Sequence, residues 1–216
     1  SAAPLSFFDG SGYFRGITAD LLELIRLRTG LRFEVQRASG IADMIARLKD
    51  GRVDVIAALT TDGEAEQTLQ ISRPYLDSVY VLVSLADKGQ FASLEQLRDR
   101  RVAITRYSAM DDMLATRYPH IGWIETESSF YSMTLLRSGA VDAVITTLID
   151  ANHAVAAHPD LVIRTTVGSE PASYAMAAAG QSQTLVSILD KALLSISPEE
   201  LGVINNRWRG YGVHDD

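Results

Sequence analysis

The chain has 216 residues, 47% hydrophobic and 22% charged, with a net charge of −7 and a pI near 5.1. An acidic surface repels a phosphate backbone or an anionic bilayer, which argues against nucleic acid as a partner. Cysteine is absent, which removes disulfides and thiol chemistry, and no apolar run approaches the roughly 18 residues of a membrane span.

The Ser1-Ala2-Ala3-Pro4 start carries no initiator Met and reads as a cut from something longer. Leu5 to Phe8 reads as a strand and Asp9-Gly10-Ser11-Gly12 as a tight turn. A helix is predicted from Ile17 to Thr29, with Leu21, Leu24 and Ile25 on one stripe and Gly30 as its stop. Leu31 to Gln36 alternates as a strand, and Ile41, Met44, Ile45 and Leu48 mark a second helix closed by Gly51. This order implies parallel pairing through right-handed crossovers. Val79 to Leu85 is a strongly β-forming run, and a second βα series follows it. Ser93 with Gln96 reads as a capping box, Arg101 to Thr105 as a strand, and Ser108 with Asp111 as the cap of a helix to about Tyr118. Ile121 to Glu125 is a further strand and Ser129 to Arg137 a helix. Tyr174 to Ala179 is a late strand, followed by helices over Gln183 to Ser195 and from Ser197-Pro198-Glu199-Glu200 onward.

A near-repeat organises these elements. Gly51-Arg52-Val53-Asp54-Val55-Ile56 returns as Gly139-Ala140-Val141-Asp142-Ala143-Val144, each copy running into hydroxyl residues. The copies lie about 88 residues apart, beyond the period of solenoids. They fit two similar α/β lobes whose strands end at a shared cleft, where open α/β sheets bind ligands. The Val79–Leu85 and Tyr174–Ala179 runs are the natural crossings between lobes. Lobe 1 is then discontinuous, residues 1–83 with 180–216, and lobe 2 is 84–179.

Ala3-Pro4-Leu5-Ser6-Phe7, Gly16-Ile17-Thr18-Ala19-Asp20-Leu21, Ile71-Ser72-Arg73-Pro74-Tyr75, Ser93-Leu94-Glu95-Gln96-Leu97 and the two Val-Asp segments occur in an order that resembles amino-acid-type periplasmic solute-binding proteins. That resemblance covers essentially the whole chain and implies a bilobal Venus flytrap of the periplasmic binding protein type II kind. The Asp20 to Leu31 phrasing, Ala58-Leu59-Thr60, and the ending from Ser197 to Trp208 are more similar to flytrap sensor domains of BvgS/EvgS-type hybrid histidine kinases. It implies a periplasmic ligand-sensing part of an inner-membrane kinase, itself without enzyme activity, joined to the other kinase domains and dimeric in the full-length protein. Two alternatives remain open: the solute-binding protein of an ABC transporter, and a periplasmic dehydratase-like enzyme.

The departures from the family pattern bear on the ligand. The resemblance places a carboxylate-clamping Arg at Ala65 and an ammonium-holding Asp at Thr147, so both charged halves of an amino-acid clamp are missing. The cleft residues implied are Ser6, Thr60 and Thr61 from lobe 1, and Arg106, Ser108, Ala109, Thr147 and Tyr174 otherwise. Arg106 ahead of a helix start at Ser108 suggests a small anion or carboxylate as ligand. No cofactor or metal is expected, because His120, His153, His158 and His214 show no ligand spacing. Loss of a bidentate ion contact removes roughly 2–5 kcal/mol of binding. Calorimetric titration with the twenty amino acids is therefore expected to give no sub-micromolar isotherm, and one tight isotherm contradicts this reading.

Overall fold

The computed structural model describes residues 5–8, 10–60, 68–89, 91–106, 108 and 110–208. A short hairpin pairs β1 (Phe7–Phe8) with β2 (Phe14–Arg15). Helix α1 (Ile17–Thr29) follows, with the predicted bounds. Its stop is Gly30 at φ 78, a left-handed conformation that suits glycine. Helix α2 (Ile41–Lys49) leads to β3 (Ile56–Thr60), β4 (Leu69–Ile71) and the long β5 (Leu76–Leu85). After a single 3-10 turn, the second series is β6 (Arg101–Thr105), α3 (Asp111–Arg117), β7 (Gly122–Thr126), α4 (Ser129–Ser138), β8 (Ala143–Thr147) and α5 (Leu148–Ala157). The chain returns through β9 (Leu161–Ala179) to α6 (Gln183–Ser195) and α7 (Pro198–Trp208).

The strands of the two halves are not separate in their hydrogen bonding. One path runs β3-β9-β5-β8-β6-β7, with β4 also on β9. Strands β5 and β9 pair antiparallel from Leu76↔Tyr174 to Leu85↔Leu161, with two register shifts, and so belong to both halves. The pairing β6-β7 and β6-β8 is parallel, as a right-handed βαβ series requires. The expected parallel pairing in the first half is absent among the described residues, because β9 supplies an antiparallel partner to β3 instead. Residues 31–36 likewise form no strand. Leu31 and Phe33 do pack on the lobe-1 core, but Val35 is exposed and the segment has no ladder partner among the described residues. The sequence reading also missed α5 and the first thirteen residues of β9.

Apolar packing among the described residues divides into four clusters, one of which joins α2, β3 and β4 around Leu48 and Ile56. Leu21, Ile25, Met176, Leu189 and Ile204 centre a cluster formed by α1, α6, α7 and the end of β9. Two further clusters cover opposite faces of the β5-β8-β6 sheet, around Leu97 and Ile104 on one side and Val83 and Leu136 on the other. Helix caps fix the ends of the terminal pair. Ser197 Oγ accepts from Glu200 N at 3.2 Å and Glu200 Oε2 accepts from Ser197 N at 2.8 Å, a reciprocal capping box. The other two expected boxes differ. Gln96 Oε1 accepts from Ala92 N, and Ser108 does not cap α3 with its side chain.

Trp208 is tied to α1 rather than to the second half. Asp20 Oδ2 accepts from Trp208 Nε1 at 2.8 Å and from Arg207 Nη1 at 2.9 Å. Asp20→Ala is expected to lower stability by about 1–3 kcal/mol through these charged-acceptor bonds, and to shift the indole fluorescence of Trp208. Denaturant unfolding followed by fluorescence checks it; an unchanged midpoint and spectrum contradict the assignment.

Candidate functional site

A cleft of about 720 Å³ opens between the halves, where β3 ends at Thr60 and β8 ends at Thr147. Its walls come from both sides: Ser6 and Thr60 on one, Ser108, Ser129, Thr146 and Thr147 on the other, with Tyr174 of β9 beside them. Sequence position explains this convergence. Thr60 and Tyr174 are ladder partners across β3 and β9, and Tyr80 of β5 is the ladder partner of Thr147.

The expected cleft residues divide three ways. Ser6, Thr60, Ser108, Thr147 and Tyr174 line the cleft as expected. Thr61, Ala65 and Ala109 lie outside the described residues. Arg106 is not brought to the cleft: its guanidinium stands 3.3 Å from Glu125, and the side chain is 53% exposed. The cause is local, since Arg106 and Glu125 leave the ends of adjacent parallel strands and pair across them. The expected anion seat at the start of α3 also fails. The helix has only seven residues, and Asp111 and Asp112 place negative charge in its first turn.

Thr147 is not free to replace an acidic ligand contact. Its Oγ1 accepts from Tyr174 Oη at 3.0 Å and from Asp150 N at 3.4 Å, so it caps α5 and ties β9 to β8. Two acidic residues, Glu127 and Asp150, line this wall, and the sequence reading passed over both. Ser129 Oγ donates to Asp150 Oδ2 at 2.9 Å, and Thr146 Oγ1 stands 2.9 Å from Ser129 Oγ. Although the residue as a whole is only partly covered, its Oδ1 is shut off from solvent and makes no hydrogen bond. Burial pushes the Asp150 carboxyl above the usual carboxylate range, and the Ser129 hydroxyl opposes that only in part. Burial, with the neighbouring Asp150 charge, also holds the Tyr174 phenol well above its ordinary value. A signal for Asp150 did exist in the chain: Thr147-Leu148-Ile149-Asp150 is a capping-box spacing. Here the carboxylate turns to Ser129 instead of closing the box.

Ser108 completes the wall. It is 7% exposed, its Oγ has no hydrogen-bond partner, and it faces the same cleft. Buried polar atoms left unbonded in a cleft are costly and mark positions where a ligand group or water can bind.

The raised Asp150 carboxyl fixes the sign of a pH effect. The folded state favours the protonated form, so this group's contribution is full below the ordinary carboxylate range and is lost as pH rises through the raised value. Asp150→Asn is expected to remove that loss and to melt higher than wild type at pH 7, by the equivalent of about 1–3 kcal/mol for one uncompensated buried group. Thermal melts across pH 4–8 test this, and a variant less stable than wild type at pH 7 refutes it.

The comparisons with known proteins agree with this geometry. The description "Bacterial extracellular solute-binding proteins, family 3" matches residues 1–211. The virulence sensor protein BvgS of Bordetella bronchiseptica is 36% identical over 210 residues, 96% of this chain. The crystal structure of the Bordetella pertussis BvgS periplasmic VFT2 domain superposes with a TM-score of 0.87 at 35% identity, covering 96% of this chain and 89% of that one. The sensor protein EvgS of Escherichia coli K12 is 25% identical over 207 residues, 95% of this chain. The arginine-bound form of ArgBP from T. maritima shares 25% identity and a TM-score of 0.82, covering 91% of this chain and 92% of that one. This chain spans 17% of the length of the BvgS and EvgS sequences. The chain belongs to the bacterial extracellular solute-binding proteins, family 3, has the bilobal Venus flytrap fold, and is homologous to the periplasmic sensor region of BvgS and EvgS.

Proposed function

We propose that the domain is the periplasmic ligand-sensing part of an inner-membrane two-component histidine kinase, whose lobes open and close to signal across the membrane. The observation that carries this reading is the cleft wall itself. It joins both halves, it holds two unbonded buried polar atoms at Ser108 and Asp150, and it is linked by the Tyr174–Thr147 bond to a crossing strand. Similarity to BvgS at 36% over nearly the whole chain favours a sensor over a transport protein. The lobes in this reading are 1–83 with 180–216, and 84–179; the apolar clusters favour two halves but group Tyr80 to Val83 with the second and Tyr174 to Ala177 with the first. The parent protein is a dimer, and its other kinase domains are the partners of this one.

The ligand in this reading is a small anion or carboxylate, as the sequence suggests, but it is held from the other side. Arg32 lines the cleft, is exposed, and makes no ion pair among the described residues, whereas Arg106 is committed to Glu125. Asp150 makes the opposite wall unfavourable to an anion unless it is protonated. Arg37, Arg47 and Arg52 line the cleft as well, but Arg47 is paired with Asp43 and Arg52 with Asp50.

Removing Arg32 is expected to cost a bound carboxylate about 30-fold or more in affinity. In thermal-shift titrations with acetate, succinate and benzoate, Arg32→Ala is expected to lose the carboxylate response while Arg106→Ala keeps it. A wild-type response from Arg32→Ala, or a lost one from Arg106→Ala, contradicts the assignment. For the sensing reading, Tyr174→Phe in the membrane-embedded parent protein is expected to change the rate of phosphate incorporation. An unchanged rate counts against signalling through this cleft.

A further inference from the structure

We infer that Gly40 is a steric gate for closure: it is where lobe 1 seats on the backbone of lobe 2, and its missing side chain is what lets the cleft shut. Gly40 directly precedes α2 at the N-cap position, with φ 174 and ψ −171. That is extended backbone open to any residue, so glycine is not needed for its conformation. Helix chemistry favours Ser, Asp or Asn here, because their side chains bond the first free N–H groups. Gly40 gives α2 no such cap. Glycine is tolerated at an N-cap at little cost, so neither the cap nor the conformation requires it, and the reason for it lies elsewhere.

The constraint is across the cleft. A Cβ on Gly40 falls 2.1 Å from the Glu127 carbonyl oxygen, 3.0 Å from its carbon and 3.4 Å from its Cβ. Glu127 sits between β7 and α4, and Gly40, Glu127, Ser128 and Ser129 all line the same cleft. The obstacle cannot easily give. Flanking Thr126 is buried, its Oγ1 donates to Ser128 O at 3.1 Å and contacts Ser132 Oγ at 2.5 Å, and Ser128 Oγ accepts from Tyr131 N at 3.2 Å to cap α4. A side chain on Gly40 meets backbone held from both sides, and the lobes must separate to admit it.

This gate rests on the reading that closure carries the signal, but its test does not. The chain has no cysteine, so two introduced ones, replacing exposed Lys49 on α2 and Tyr131 on α4, can carry spin labels. Gly40→Ser improves the cap and Gly40→Ala does not, yet both add the Cβ. Both variants are expected to shift the inter-label distance to longer values, with Gly40→Ser keeping at least the wild-type melting temperature. Wild-type distances in both variants overturn the gate, and so does loss of cooperative melting in both, since the Cβ is then met by unfolding rather than opening. If both variants open while the parent protein incorporates phosphate at the wild-type rate, the gate stands and the sensing reading falls.

Discussion

The ladder between β5 and β9 is the constraint on which the rest of the molecule depends. It runs from Leu76↔Tyr174 to Leu85↔Leu161, and β3, β4 and β8 hang from its two edges. Strands in the middle of a sheet satisfy their backbone groups on both sides, so this pair cannot part without stranding buried N–H and C=O groups. The lobes therefore inherit their relative placement from one continuous piece of hydrogen-bonded backbone. Its two register shifts, between Ser78 and Tyr80 and between Leu82 and Val83, are where the ladder is irregular and bends most readily.

The cleft chemistry follows from that ladder. Tyr80 and Tyr174 leave the crossing strands beside the end of β8, and Tyr174 donates to Thr147, the residue that starts α5. Asp150 stands one turn along the same helix and is held by Ser129 from the start of α4. The crossing and the wall are thus joined by hydrogen bonds between regular elements. The chain just ahead of α2 lies against this wall, with Gly40 packed on the backbone of Glu127.

Much of this was legible in the chain. The bounds of α1, β6 and α6 follow from stripe, stop glycine and β-branched runs, because those signals are local. The Val-Asp near-repeat gave the shared cleft and its hydroxyl strand ends, since the same local pattern was used twice. What was not legible was decided by distant partners. Residues 31–36 alternate like a strand but find no ladder neighbour among the described residues. Arg106 looked like a ligand cation until its strand neighbour placed Glu125 beside it. Asp150 was passed over, because its spacing from Thr147 says nothing of Ser129, toward which the fold turns it. Gly40 carries no sequence signal, because the carbonyl that excludes a side chain is supplied by residue 127.

The central claim is that the lobes move about an intact β5–β9 ladder. Amide hydrogen exchange along the chain, with and without a bound carboxylate, tests it most directly. The account predicts that Val81 to Val83 and their partners Ile163 to Thr166 exchange only by global unfolding in both states, while protection changes on α2 and around Glu127. Faster exchange in the ladder than in α1 or α6, changing with ligand, would contradict it and place the motion in a melting strand instead.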